Sequence, residues 1–214
     1  MRKPAADVLG AIRAERVIAL IRADSSAGLL GCAAALSEGG LNCIELTMTT
    51  PGAIGMTAEV ALQLPHVVLG LGTVLDAGTA RAGIAAGAQF IVTPVVRPEV
   101  VRVCRESGVP VICGAFTPTE IYSAWEMGAD VVKIFPAEFF GPAYIRSVKA
   151  PLPDIELLPT GGVTPETAGD FLRAGAFAVA AGSALVSPAA FKSADWPAVT
   201  GRARLFAAAA KAAQ

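Results

Sequence analysis

Short apolar runs alternate with segments of helical periodicity from Val17 to Val186, and no polar, Pro-rich or low-complexity linker interrupts them. Eight runs have strand length: Val17–Arg22, Asn42–Thr47, Val67–Gly72, Gln89–Thr93, Val109–Gly114, Asp130–Phe135, Ile155–Thr160 and Phe177–Ala181. Between them, segments such as Ser26–Ser37, Arg97–Ser107, Thr119–Met127 and Glu166–Arg173 repeat apolar residues at helical spacing. Helix ends recur as small units in which glycine supplies a left-handed cap: Gly39-Gly40, Gly87-Ala88, Gly108-Val109, Gly128-Ala129 and Gly175-Ala176. Pro51, Pro98, Pro118 and Pro165 mark first turns. Ahead of the first strand, the segment that follows Arg2 and Lys3 reads as a mixed helix, not as an apolar targeting block.

Strands that are apolar on both faces belong in a parallel sheet covered by helices. Eight right-handed βα units suffice to close such a sheet, so the pattern predicts one α/β domain over residues 1–214, a (β/α)8 TIM barrel with an N-terminal helix. The structural alternative is an open doubly wound sheet. Its dinucleotide fingerprint is incomplete here, because Gly70-Leu71-Gly72 is followed by Leu75 where a third glycine is required.

Composition narrows the function. Hydrophobic residues make up 54% and charged residues 16% of the chain, enough to fill a large core, yet no apolar run reaches transmembrane length. A net charge of −1 with scattered basic residues argues against nucleic acid or an anionic membrane as partner. Cys32, Cys43, Cys104 and Cys113 lie far apart, without metal or redox spacing, and are expected to be reduced core residues of a cytoplasmic protein. The single histidine, His66, falls ahead of strand three and is expected at the surface, away from the barrel mouth; no metal site is predicted.

Two strands carry an ionisable residue inside an apolar run, Glu45 in Cys43-Ile44-Glu45-Leu46 and Lys133 in Val131-Val132-Lys133-Ile134-Phe135. Burying either one unpaired costs several kcal/mol, so each should face a partner or a polar cavity. Period-two alternation sets Glu45 on the face of Thr47 and Lys133 on the face of Phe135, toward the C-terminal mouth where barrel active sites lie. A neutral lysine amine can attack a ketone and form an iminium, an electron sink, and a buried carboxylate can shuttle the protons. A purely structural ion pair between the two is the alternative. Thr73 and Thr160 end strands three and seven, where they could bond a reacting carbonyl or simply cap the strand.

Strand seven runs into Thr160-Gly161-Gly162-Val163 and strand eight into Ala181-Gly182-Ser183-Ala184. The loops after these strands hold phosphate in many barrels, which makes Gly161, Gly162, Gly182 and Ser183 candidate phosphate ligands.

With Glu45-Leu46-Thr47, Gly70-Leu71-Gly72-Thr73-Val74-Leu75, Val92-Thr93-Pro94, Lys133-Ile134-Phe135-Pro136-Ala137 and Pro159-Thr160-Gly161-Gly162-Val163 in this order, the sequence resembles the 2-dehydro-3-deoxy-phosphogluconate and 4-hydroxy-2-oxoglutarate aldolases over almost its whole length. The resemblance implies a homotrimeric class I aldolase, free of metal and organic cofactor, that cleaves a phosphorylated 2-keto-3-deoxy sugar acid to pyruvate and glyceraldehyde 3-phosphate. Lys133 would form the Schiff base and Glu45 would be the general acid/base. Thr73 and Thr160 would position the pyruvyl part, with Pro94 and Phe135 beside them, and Gly161, Gly162 and Ser183 would hold phosphate. The phosphogluconate branch commonly places an arginine four residues after the glutamate; here that position is Thr49. Arg22, which shares inward parity with Leu20 at the end of strand one, is the candidate substitute for holding the substrate carboxylate, and Arg97 is its competitor. The phosphogalactonate aldolases look similar at strand one. An isomerase or synthase that uses the same phosphate loops, or a sugar-phosphate-binding barrel without turnover, would have no need of Lys133 as nucleophile.

Overall fold

The computed structural model describes residues 3–213, so the basic Arg2 lies outside the described residues. Eight strands alternate with helices: β1 Val17–Ile21, β2 Cys43–Thr47, β3 Val68–Gly72, β4 Phe90–Val92, β5 Val111–Ala115, β6 Val131–Ile134, β7 Leu157–Pro159 and β8 Val179–Ala181. The helices are α1 Ala5–Glu15, α2 Leu29–Glu38, α3 Ala53–Gln63, α4 Ala77–Ala85, α5 Pro98–Glu106, α6 Pro118–Glu126, α7 Gly141–Lys149, α8 Pro165–Arg173, α9 Pro188–Lys192 and α10 Trp196–Ala212, with a 3-10 turn at Ala137–Phe139.

All strand pairs are parallel, and β1 pairs with both β2 and β8. The seam between β7 and β8 is closed by a Thr160–Ala180 bridge and by the Phe177 N–H, which donates to the Leu157 carbonyl at 2.9 Å. The barrel is therefore complete, and the open-sheet alternative falls away. Most strands are shorter than their apolar runs. Val109 and Ile155 are buried but lie ahead of the ladder, so burial continues where strand pairing has not begun.

Alternation separates two cores. Val17, Ala19 and Ile21 point outward to the helices, whereas Ile18 packs inside the barrel with Cys43, Val68, Phe90 and Ile112. Val8 and Ile12 of α1, both fully buried, belong to this inner cluster, so the N-terminal helix stoppers the barrel at the strand N-termini. The inner layer interdigitates large against small: a side chain at Gly70 would run into the Phe90 ring, its partner across β3 and β4.

Punctuation largely follows the expected chemistry. Gly40, Gly87, Gly108, Gly128 and Gly175 all have positive φ, and Pro98, Pro118 and Pro165 begin α5, α6 and α8. Pro51 does not begin α3; the chain turns first at Gly52, φ +74°, and the helix starts at Ala53. Likewise α2 starts three residues after Ser26, because Gly28, φ +93°, intervenes. No helix among the described residues is long and apolar enough to cross a membrane.

Candidate active site

A cavity of about 550 Å³ opens at the C-terminal ends of the strands. Arg22, Thr73, Pro94, Lys133, Phe135, Thr160, Gly161, Gly162, Gly182 and Ser183 all line it, so ten candidates from six βα units converge. Glu45 is fully buried beside it and does not reach the cavity wall.

Lys133 is 5% exposed, held inward on β6 between Gly114 of β5 and Leu158 of β7. Its Nζ lies 5.2 Å from the centroid of the Phe135 ring, two residues along the same face. Pro94 enters the cavity because its neighbour lacks a side chain: a Cβ on Gly114 would stand 2.4 Å from the Pro94 carbonyl oxygen. Thr93 fixes this crossing. Its hydroxyl accepts from the Gly114 N–H at 3.0 Å and donates to the Val95 carbonyl at 2.7 Å.

Glu45 occupies room left by another glycine. A Cβ on Gly72 would lie 1.7 Å from Glu45 Oε1, so even alanine at 72 would displace the carboxylate. Both carboxylate oxygens are buried, and neither accepts a hydrogen bond from a described residue. Burial pushes the Glu45 pKa up; the charges of Lys133 and then Arg22 act in the opposite direction but do not overcome it. A structural ion pair does not account for this arrangement, since no contact within 4.0 Å joins Glu45 to a cation among the described residues.

Thr73 follows β3 directly and adopts φ +58°, a left-handed conformation that costs a β-branched residue energy and that clusters at functional sites. Thr160 is almost wholly buried, and its carbonyl accepts the Ala137 N–H at 2.9 Å, tying the end of β7 to the turn after β6. Gly161 and Gly162 follow with φ +98° and +69° and lead into Thr164, the N-cap of α8. On the β8 side, the Gly182 carbonyl accepts from the N–H groups of Leu185 and Val186, both at 2.9 Å, which folds Ser183 and Ala184 into a tight turn.

Arg22 stands exposed at the mouth and pairs with no described residue. Arg97 is instead paired with Glu99 and does not line the cavity. Thr49 does not line the cavity either; its hydroxyl bonds that of Thr47 at 2.9 Å. His66 is exposed at the opposite end, 2.9 Å from the Ser37 hydroxyl, and all four cysteines are free and buried. Burial pushes the thiols of Cys32 and Cys104 up to about 12, which leaves little nucleophilic thiolate. Sequence reasoning missed Leu20, Val163, Thr164, Ala180, Ala184, Val186 and Pro188 of the wall. Leu20 and Ala180 were recoverable from inward parity; Val163, Ala184 and Val186 are loop residues whose apolar character looks like core, and Thr164 and Pro188 read as helix-start punctuation.

Because the Glu45 pKa is raised on folding, the native state binds a proton that the unfolded chain releases, so stability is fullest below the ordinary glutamate range and falls as pH rises through the raised value. Glu45→Gln should therefore raise Tm relative to the unmodified chain, with a larger gain at pH 8 than at pH 5. Thermal melts at the two pH values check this; a gain that is equal at both, or larger at pH 5, would contradict it.

The sequence model of the KDPG and KHG aldolases matches residues 8–201. The chain is 35% identical over 185 residues to a 2-dehydro-3-deoxy-phosphogluconate aldolase of Pseudomonas aeruginosa, covering 86% of this chain and 84% of that one. It is 36% identical over 171 residues to a 2-dehydro-3-deoxy-6-phosphogalactonate aldolase of Escherichia coli, covering 79% and 83%. Its fold superposes with a TM-score of 0.82 on a KDPG aldolase from Legionella pneumophila that holds pyruvate as a covalent carbinolamine, at 27% identity and with 92% and 96% of the two chains covered. Fold, cavity and sequence agree, and the chain belongs to the KDPG and KHG aldolase family.

Proposed function

We propose that this chain is a Schiff-base aldolase that cleaves 2-dehydro-3-deoxy-6-phosphogluconate, or a close relative, to pyruvate and glyceraldehyde 3-phosphate, without metal or organic cofactor. The observation that carries this reading is a buried amine at one cavity's wall with an unpartnered buried carboxylate coupled to it. Lys133 Nζ attacks the C2 ketone and water leaves, giving the iminium. The C3–C4 bond then breaks: its electrons enter the iminium as an enamine, and the C4 hydroxyl proton passes to Glu45 through one water. Glu45 returns a proton to C3, and hydrolysis frees pyruvate and the amine. A carboxylate whose pKa is raised by burial suits a group that must both take and give a proton near neutrality.

The other lining residues support binding roles. Thr73 and Thr160 supply hydroxyl groups for the pyruvyl part, flanked by Pro94 and Phe135. Gly161, Gly162, Gly182 and Ser183 line the outer end, and the first two lead into the N-terminus of α8, an arrangement suited to a phosphate. Arg22, unpaired at the mouth, offers the carboxylate a bidentate partner in place of an arginine at 49. The galactonate epimer and 4-hydroxy-2-oxoglutarate are the substrates to run beside the gluconate.

We further read the chain as one cytoplasmic domain that assembles as a homotrimer. Four free, buried cysteines suit a reducing compartment. Phe139 and Phe140 are 72% and 58% exposed, and Phe116, Phe140 and Tyr144 stack beside them, an aromatic patch of the kind that subunit contacts cover.

Three outcomes are expected. Pyruvate with borohydride should add one pyruvate-derived mass to the Lys133 peptide, and the label should vanish in Lys133→Ala; labelling elsewhere would sink the mechanism. Arg22→Ala should lower kcat/KM for pyruvate release by about 10- to 100-fold, with partial recovery in Arg22→Lys, because a point charge lacks the guanidinium fork and an exposed cation is partly screened. Near-normal release by Arg22→Ala at low substrate would remove the clamp. Light scattering should return three times the 21.7 kDa chain mass, falling on Phe139→Glu with Phe140→Glu; a monomeric parent chain would refute the trimer.

A further inference from the structure

The ladder between β1 and β2 ends at the Ile21–Leu46 pair, so Arg22 is the first residue beyond it. One position on, the Ala23 N–H donates to Thr50 Oγ1 at 3.0 Å. Thr50 belongs to the loop between β2 and α3 and is 1% exposed, so a buried hydroxyl of one βα unit serves a main-chain group of its neighbour. A second contact joins the same two loops: a Cβ on Gly52, where φ is +74°, would stand 3.6 Å from the Ser26 Cβ and Oγ.

The loop that carries Thr50 is fastened on several sides. The Thr50 N–H donates to the Thr47 carbonyl at 3.0 Å, and the Met48 N–H donates to the Gly72 carbonyl at 2.8 Å, which ties the turn to β3. The Thr50 carbonyl accepts the Ala53 N–H at 3.2 Å, at the start of α3. Its hydroxyl also lies 3.5 Å from that of the fully buried Thr47, which in turn lies 2.9 Å from that of Thr49. Arg22 is different. Its side chain is long and has no ion pair with a described residue, so the backbone beneath it sets the direction from which the guanidinium enters the cavity. A guanidinium loses rotamer freedom when it grips a carboxylate, and a fixed main chain leaves less ordering to be done on binding.

We infer that Thr50 is a positioning residue for Arg22: its hydroxyl holds the backbone at Ala23 and so aims the guanidinium into the cavity. The inference rests on the reading of Arg22 as the partner of the substrate carboxylate. It gives the loop of Thr49 a part in carboxylate binding without lending it a charge, since the threonine hydroxyl groups of that loop hold the strand end from which the cation comes. Replacing the Thr50 hydroxyl by a methyl group of the same shape leaves the Ala23 N–H without its acceptor, and the strand end loses its anchor.

The test is a double-mutant cycle on pyruvate release at low substrate, over the parent chain, Thr50→Val, Arg22→Ala and the two together. Thr50→Val should lower kcat/KM about three- to tenfold, and Thr50→Ser, which keeps the hydroxyl, should stay within about twofold of the parent. In the Arg22→Ala background the same Thr50→Val change should cost less than about twofold, because no guanidinium is left to aim. A threonine that served the fold alone would give an equal loss in both backgrounds, and that result overturns the inference, as does a Thr50→Val enzyme as active as the parent. Should Thr50→Val not fold, Thr50→Ala takes its place in the cycle, since it also removes the hydroxyl. If Arg22→Ala alone leaves kcat/KM unchanged, the clamp reading has failed and the inference falls with it. A parent chain that releases no pyruvate marks the failure of the aldolase reading itself and takes both with it.

Discussion

The carboxylate of Glu45 fills the space that a side chain at residue 72 would need, and it does so without a hydrogen-bond partner among the described residues. A buried, unpaired carboxylate is among the least favourable groups a core can hold, and it persists only where the surrounding fold is stable enough to impose it. Two fully buried core layers supply that stability, one inside the barrel and one between strands and helices. The same glycine principle recurs around the interior, with Gly70 admitting the Phe90 ring and Gly114 admitting the Pro94 backbone. Missing side chains at three inward positions thus determine where an aromatic ring, an acid and a loop stand relative to Lys133.

Family membership and geometry bear on different questions. Relatives named for phosphogluconate and for phosphogalactonate match this chain about equally well, so similarity does not choose between epimers. Residue-level features bear on that choice: a threonine at 49 that does not line the cavity, an Arg22 at the mouth with no ion pair to a described residue, and the Glu138 side chain packed on Gly162.

Much of this was legible in the chain because inward parity is a property of the strand itself. Once Lys133 and Glu45 were placed in strands, their facing followed from alternation, and the mouth followed from the order of strand and loop. Strand ends were less legible, since Val109 and Ile155 are as buried as ladder residues and only hydrogen bonding sets them apart. The Gly72–Glu45 and Gly162–Glu138 contacts were not legible at all. They join residues 27 and 24 positions apart through the relative height of neighbouring units, which local sequence does not encode.

Val8 and Ile12 stopper the barrel at the strand N-termini, far from the mouth. A vessel sealed at its base has a single doorway, and traffic through it is last in, first out. On the proposed mechanism, whatever is tethered at Lys133 waits behind whatever rests on the glycine loops, so a split substrate would empty from the rim inward. Sequence at the rim can therefore govern how quickly the deep site becomes free again, even when the deep chemistry is untouched.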